Sequence, residues 1–111
     1  MGNEYQPTRE QKRAQAAYDC IKEVTGNYQE YVQMTKKFPA LVHTCGLAQA
    51  VAFADAKDGD EYLKHLTKVM GLEGDLGERS RNTDIIDYQR YSREAMAAAT
   101  WLKRYAEAVL E

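Results

Sequence analysis

The sequence predicts an all-α fold, a compact bundle of about five helices with a long C-terminal helix. Three observations carry this. Apolar residues recur at spacings of three and four along most of the chain. Two prolines and seven glycines against a large stock of alanine favour helices over a turn-rich β fold. No pair of alternating apolar runs forms a credible strand pair. At 111 residues the chain buries one hydrophobic core, so 1–111 reads as a single helical domain with a short tail over residues 1–7.

The first helix is announced by Pro7-Thr8-Arg9-Glu10-Gln11, in which Thr8 caps the first turn and Gln11 returns the bond. Ala14, Ala17, Tyr18 and Ile21 repeat at helical spacing behind it, which predicts a helix from Arg9 to Val24 closed by Gly26. Asn27 then caps a second, shorter helix that is expected to end before Pro39, because proline cannot donate the helical hydrogen bond. Pro39 is placed to open a third helix over Ala40–Ala56, apolar on nearly every side and so central, with Gly46 where helices approach closely. Asp58-Gly59-Asp60 turns the chain and caps a fourth helix with Tyr62, Leu63, Leu66, Val69 and Met70 on one face, ended by Gly71. Three glycines and several charges make 71–83 an expected exposed loop. Thr83 or Asn82 caps the last helix, whose inner stripe is Ile85, Tyr88, Ser92, Ala95, Ala99, Leu102, Ala106 and Val109.

Composition narrows the function classes. Hydrophobic residues at 44% and charged residues at 29% describe a globular protein, not a disordered tail. The longest apolar run, Ala50 to Ala54, is far below the roughly 20 residues of a membrane span, so no membrane association is expected. Met1-Gly2-Asn3-Glu4 has no secretory character, and Gln6 stands where a myristoylation site has Ser or Thr. Cys20 and Cys45 lack the spacing of a redox pair or a disulfide scaffold, which places the chain in a reducing cytoplasm. A formal charge of −2 gives no bulk attraction to nucleic acid, so any such binding must come from local basic clusters.

Catalytic and metal sites find little support. His43 and Cys45 point about 200° apart around a helix and cannot share a metal; the expected arrangement is a surface or capping histidine and two core thiols. No nucleophile elbow or Cys–His arrangement occurs, and Gly71–Gly77 matches neither a P-loop nor a dinucleotide fingerprint. Asp55, Asp58, Asp60 and Glu61 miss EF-hand spacing. The expectation is no catalytic residue, no metal and no cofactor. Eight tyrosines are unusual; Tyr18, Tyr28, Tyr62, Tyr88 and Tyr105 read as core-facing or boundary residues, packing rather than stacking on bases.

The charges carry more. Arg9, Lys12 and Arg13 share a stripe on the first helix, and Arg90, Arg93 and Arg104 share one on the last, with Ala97 between them and Trp101 at the edge. Lys36 and Lys37 form a doublet at a helix end. Such stripes are either solvated faces or phosphate-binding patches, and charge alone leaves both open.

Two stretches point to a family. Phe38-Pro39-Ala40-Leu41-Val42-His43-Thr44-Cys45-Gly46-Leu47-Ala48-Gln49-Ala50-Val51-Ala52-Phe53 and Trp101-Leu102-Lys103-Arg104-Tyr105-Ala106-Glu107-Ala108 resemble the small α-helical subunit of type III-B CRISPR effector complexes, the Cmr-type RAMP modules. The resemblance covers nearly the whole chain, and the block Gly46 to Phe53 is its specific part. It implies a non-enzymatic subunit that stacks in several copies into a filament beside the repeated RAMP backbone subunits. Together these would hold guide RNA paired with target RNA, while the backbone subunits and the large polymerase-like subunit do the cutting. The family's motifs are structural and single out no RNA-contacting residue. The candidate RNA-binding positions therefore remain those of the basic faces: Arg9, Lys12, Arg13, Lys36, Lys37, Arg90, Arg93 and Arg104. The competing class is a helical protein–protein adaptor with no nucleic-acid contact.

Overall fold

Residues 6–25 and 28–111 are described by the structure, a computed structural model. They form six α-helices and a terminal π-helical turn, with no strand among the described residues. The all-α expectation and the long closing helix are both met.

Helix α1 (Arg9–Lys22) starts as its sequence dictates. Thr8 Oγ1 accepts from the Gln11 amide at 3.1 Å, and Gln11 Oε1 accepts from the Thr8 amide at 2.8 Å, so two otherwise orphaned donors are satisfied. The helix stops at Lys22, short of Val24, on a tight turn in which the Glu23 amide donates to the Cys20 carbonyl. The expected caps Gly26 and Asn27 lie outside the described residues.

Helix α2 (Tyr28–Cys45) corrects the next boundary, because it continues through Pro39. Ala40–Cys45 belongs to α2 and not to a third helix. Proline inside a helix costs about 3 kcal/mol by removing a hydrogen bond and crowding the preceding turn. Here Val32, Met34, Thr35 and Phe38 before it and Val42 after it are buried. Each large apolar side chain so buried contributes about 1.5 to 3 kcal/mol, which together exceeds the proline cost.

The break comes instead at Gly46, whose φ of +90° is one that side-chain-bearing residues rarely adopt. Helix α3 (Leu47–Ala56) follows, and with no capping side chain at Gly46 its Ala48 amide donates to the Tyr88 hydroxyl at 3.1 Å. Gly46 is therefore a corner, not a contact point in a helix interior. The tight approach is at Gly59, where an added Cβ would meet the Ala54 carbonyl oxygen at 2.7 Å. Helix α4 (Asp60–Met70) begins there without a side-chain cap, contrary to the expected aspartate cap, and Gly71 closes it in the left-handed conformation.

The segment 71–83 is not an exposed loop throughout. It contains α5 (Leu76–Arg81), whose Leu76, Gly77 and Ser80 are buried and which packs on α3. Asp75 accepts from the Gly77 amide at 3.0 Å, and Arg79 donates to the Glu73 carbonyl at 2.9 Å and the Tyr91 hydroxyl at 3.3 Å. Six residues are too few to display a helical period, and tertiary contacts supply what propensity does not.

Helix α6 (Ile85–Tyr105), capped by Asp84, packs against α1, α2 and α4. Its buried face is Tyr91, Ala95, Ala98, Ala99 and Leu102, and the three alanines leave room for close helix approach. The expected stripe fails at both ends: Ile85 is 69% exposed and Val109 is 46% exposed. Val109 lies in the π-turn Ala106–Leu110, where the wider turn rotates later side chains, so that Leu110 packs against the core instead.

Candidate nucleic-acid interface

The packing of α1 on α6 joins two basic stripes that are distant in sequence. Arg9 and Arg13 from α1 meet Arg90 and Arg93 from α6 around one shallow groove of about 260 Å³, with Glu94 and Ala97 completing its lining. Glu94, with a side chain only 14% exposed, organises it: its carboxylate accepts from Arg9 at 3.1 Å and lies 4.0 Å from Arg90. Arg90 also reaches Asp87 at 3.5 Å. Arg13 and Arg93 have no ion-pair partner among the described residues. Four guanidinium groups against one carboxylate leave the lining with three net positive charges. Guanidinium pairs match phosphate oxygens bidentately, and Arg9 and Arg90 are held in place before any ligand arrives.

The remaining basic positions lie elsewhere. Lys12 is exposed on α1 beside this cluster. Arg104 is exposed on α6, about 21 Å along the helix axis from Arg90. Lys36 pairs with Glu111 at 3.1 Å, bringing α2 against the C-terminal turn, and Lys37 is exposed next to it. Four of the eight candidates thus converge, and four do not share the groove.

The family model of CRISPR-associated protein (Cas_Cmr5) matches residues 9–109, from the first arginine of α1 into the terminal turn. The chain belongs to the Cmr5 family. The CRISPR system Cmr subunit Cmr5 of Thermus thermophilus is 37% identical, over 94% of this chain and 97% of that protein. The crystal structure of a CRISPR-associated Cmr5 family protein from the same organism matches with a TM-score of 0.85 at 38% identity, covering 96% of this chain and 100% of that one. A Cmr5-family chain is a small helical subunit of a type III-B CRISPR complex, and its partners include other Cmr subunits.

Against this Cmr5 fold the other candidates fall into place. Among the described residues no group of three or more His, Cys, Asp and Glu side chains is arranged to hold a metal ion. No helix among them is long and apolar enough to cross a membrane. Cys45 is exposed, which corrects the expectation of two core thiols, whereas Cys20 is buried and burial pushes its thiol up to about 11. His65, buried on α4, meets the Tyr31 hydroxyl through Nδ1 at 2.6 Å, and Nε2 is 3.7 Å from Glu23. Desolvation lowers its pKa from the ordinary value of 6.5, so as a neutral ring it bonds α4 to α2 through Tyr31.

Of the tyrosines, Tyr62 is buried and Tyr88 and Tyr105 are partly so, but Tyr18 and Tyr28 are 38% and 48% exposed. Two groups escaped the sequence reading. Glu94 carried a signal, since Arg90 and Glu94 are one helical turn apart. The 2.6 Å bond from the Trp101 indole N–H to Glu10 carried none, because it spans most of the chain.

Proposed function

We propose that this chain is a non-enzymatic Cmr subunit that stacks in several copies beside the repeated RAMP backbone subunits and the large polymerase-like subunit, in the cytoplasm, and helps hold guide RNA paired with target RNA. The convergence of Arg9, Arg13, Arg90 and Arg93 on one groove supports it most, because a chain of net charge −2 gathers cations there that long-range attraction does not explain. Bound phosphate would engage Arg13 and Arg93 first, since Glu94 already occupies Arg9 and Arg90. Lys12 and Arg104 extend the same face, and Lys36 with Lys37 offers a separate, weaker contact.

The test replaces Arg13 and Arg93 with Glu, confirms incorporation into the complex, and measures target-RNA retention against salt. Each lost phosphate contact lowers the magnitude of the salt slope by roughly one, whatever the RNA sequence. Wild-type retention and slope would sink the RNA reading. That outcome would favour the helical adaptor, a reading that Ile85 and Ile86 support because both stand exposed, at 69% and 73%, on the first turn of α6.

A further inference from the structure

Beyond the arginine groove, α1 and α6 frame a second depression. Tyr105 lies two turns after Ala97, about 12 Å along the α6 axis. With Gln11, Ala14, Gln15 and Tyr18 of α1 it lines a space of about 380 Å³. The Tyr18 and Tyr105 rings meet edge to face with centroids 5.4 Å apart. Trp101 stacks on Tyr105 at 5.8 Å and is itself tied to Glu10, so the aromatic wall is braced from behind. Tyr18 is 38% exposed, and the Lys22 ammonium lies 5.2 Å from its ring centroid.

The two glutamines are each committed at one end. Gln11 uses its carbonyl oxygen to accept from the Thr8 amide, which leaves its NH2 group to donate. Gln15 uses its NH2 group on Asp19 at 3.0 Å, which leaves its carbonyl oxygen to accept. The depression therefore presents an aromatic wall, one amide donor, one amide acceptor and a cation at its margin.

We propose that this depression takes an unpaired nucleobase from an RNA strand whose phosphates engage the arginine groove; the inference rests on the RNA reading above. A nucleobase combines a flat π-face with an edge that carries both donors and acceptors, which are the features lining the depression. A base inside a duplex has its faces stacked and its pairing edge occupied, so it offers neither. An acidic peptide would satisfy the arginines but has no use for the tyrosines or the amide pair.

The experiment uses the assembled complex and two probes: a guide–target duplex, and the same duplex with one unpaired 2-aminopurine. Binding of the second probe should quench 2-aminopurine fluorescence. Tyr18→Ala should abolish the quenching and weaken that probe about tenfold, with the salt slope unchanged because no phosphate contact is lost. Tyr18→Phe should retain both, and Tyr18→Leu, which keeps bulk without a π-face, should lose both. If Tyr18→Ala leaves quenching and affinity at wild type while Arg13→Glu and Arg93→Glu release RNA, the base pocket is refuted and the RNA reading stands. If none of these variants changes binding, both readings fall.

Discussion

Pro39 and Gly46 are seven positions apart, and each is a residue that ordinarily interrupts a helix. The proline lies inside α2, and the glycine makes the corner to α3. What separates them is the surroundings. Around Pro39 the flanking side chains Phe38 and Val42 both reach the core along one continuous axis, so the helix continues despite its missing hydrogen bond. At Gly46 the chain changes direction between the buried Val42 and the buried Leu47, and it does so at a positive φ that glycine adopts without strain. Local propensity marks where a helix is weak; the packing on either side decides whether it ends.

The largest expected effect is at the corner. Gly46→Leu forces a side chain into φ +90° and pushes its Cβ to 3.3 Å from the Tyr88 hydroxyl. Strain of about 1 to 3 kcal/mol plus a disturbed hydrogen bond of about 1 kcal/mol should destabilise the fold by about 2 to 4 kcal/mol in a denaturant titration. Gly46→Ala keeps both the positive φ and the Cβ contact, so it should carry most of this loss, and the difference between the two variants measures the bulk beyond Cβ. A Leu variant as stable as wild type would mean that the corner is not where the structure has it.

Pro39→Ala should act in the opposite direction. It restores a donor for the Thr35 carbonyl and removes the steric conflict, worth about 3 kcal/mol, against about 1 kcal/mol for the more flexible unfolded chain. The net expectation is a gain of about 2 kcal/mol, on the order of 8 °C in Tm for a chain this size. A loss of stability would show that a bend at Pro39 is required for the packing of Phe38 and Val42, and the contrast with Gly46 would disappear.

The same contrast explains how much was legible in advance. The Thr8–Gln11 capping box and the left-handed Gly71 are complete within a few residues, and both were readable. The passage through Pro39 and the burial of α5 depend on elements packed from elsewhere in the chain, which no local stretch of sequence contains. The candidate site shows the same division. A helical wheel places Arg9 beside Arg13 and Arg90 beside Arg93, but that the two pairs face one groove follows only from α1 lying on α6. Glu94 then acquires a role that its own helix half discloses, pairing with Arg90 in sequence and Arg9 across space.

The smallest effect sharpens the comparison at the start of α3. Helix α1 is capped from within its own sequence, whereas α3 borrows the Tyr88 hydroxyl from α6 for its Ala48 amide. Thr8→Ala and Tyr88→Phe should each cost about 1 kcal/mol, one by removing a cap and the other by leaving a partly buried amide unpaired. Hydrogen exchange distinguishes them. Thr8→Ala should speed exchange only in the first turn of α1, because both partners of that bond sit there. Tyr88→Phe should speed exchange at Ala48 although the substitution is 40 residues away. Unchanged exchange at Ala48 would mean that burial of Leu47 alone holds the corner, and that the hydroxyl merely occupies the space the glycine leaves open.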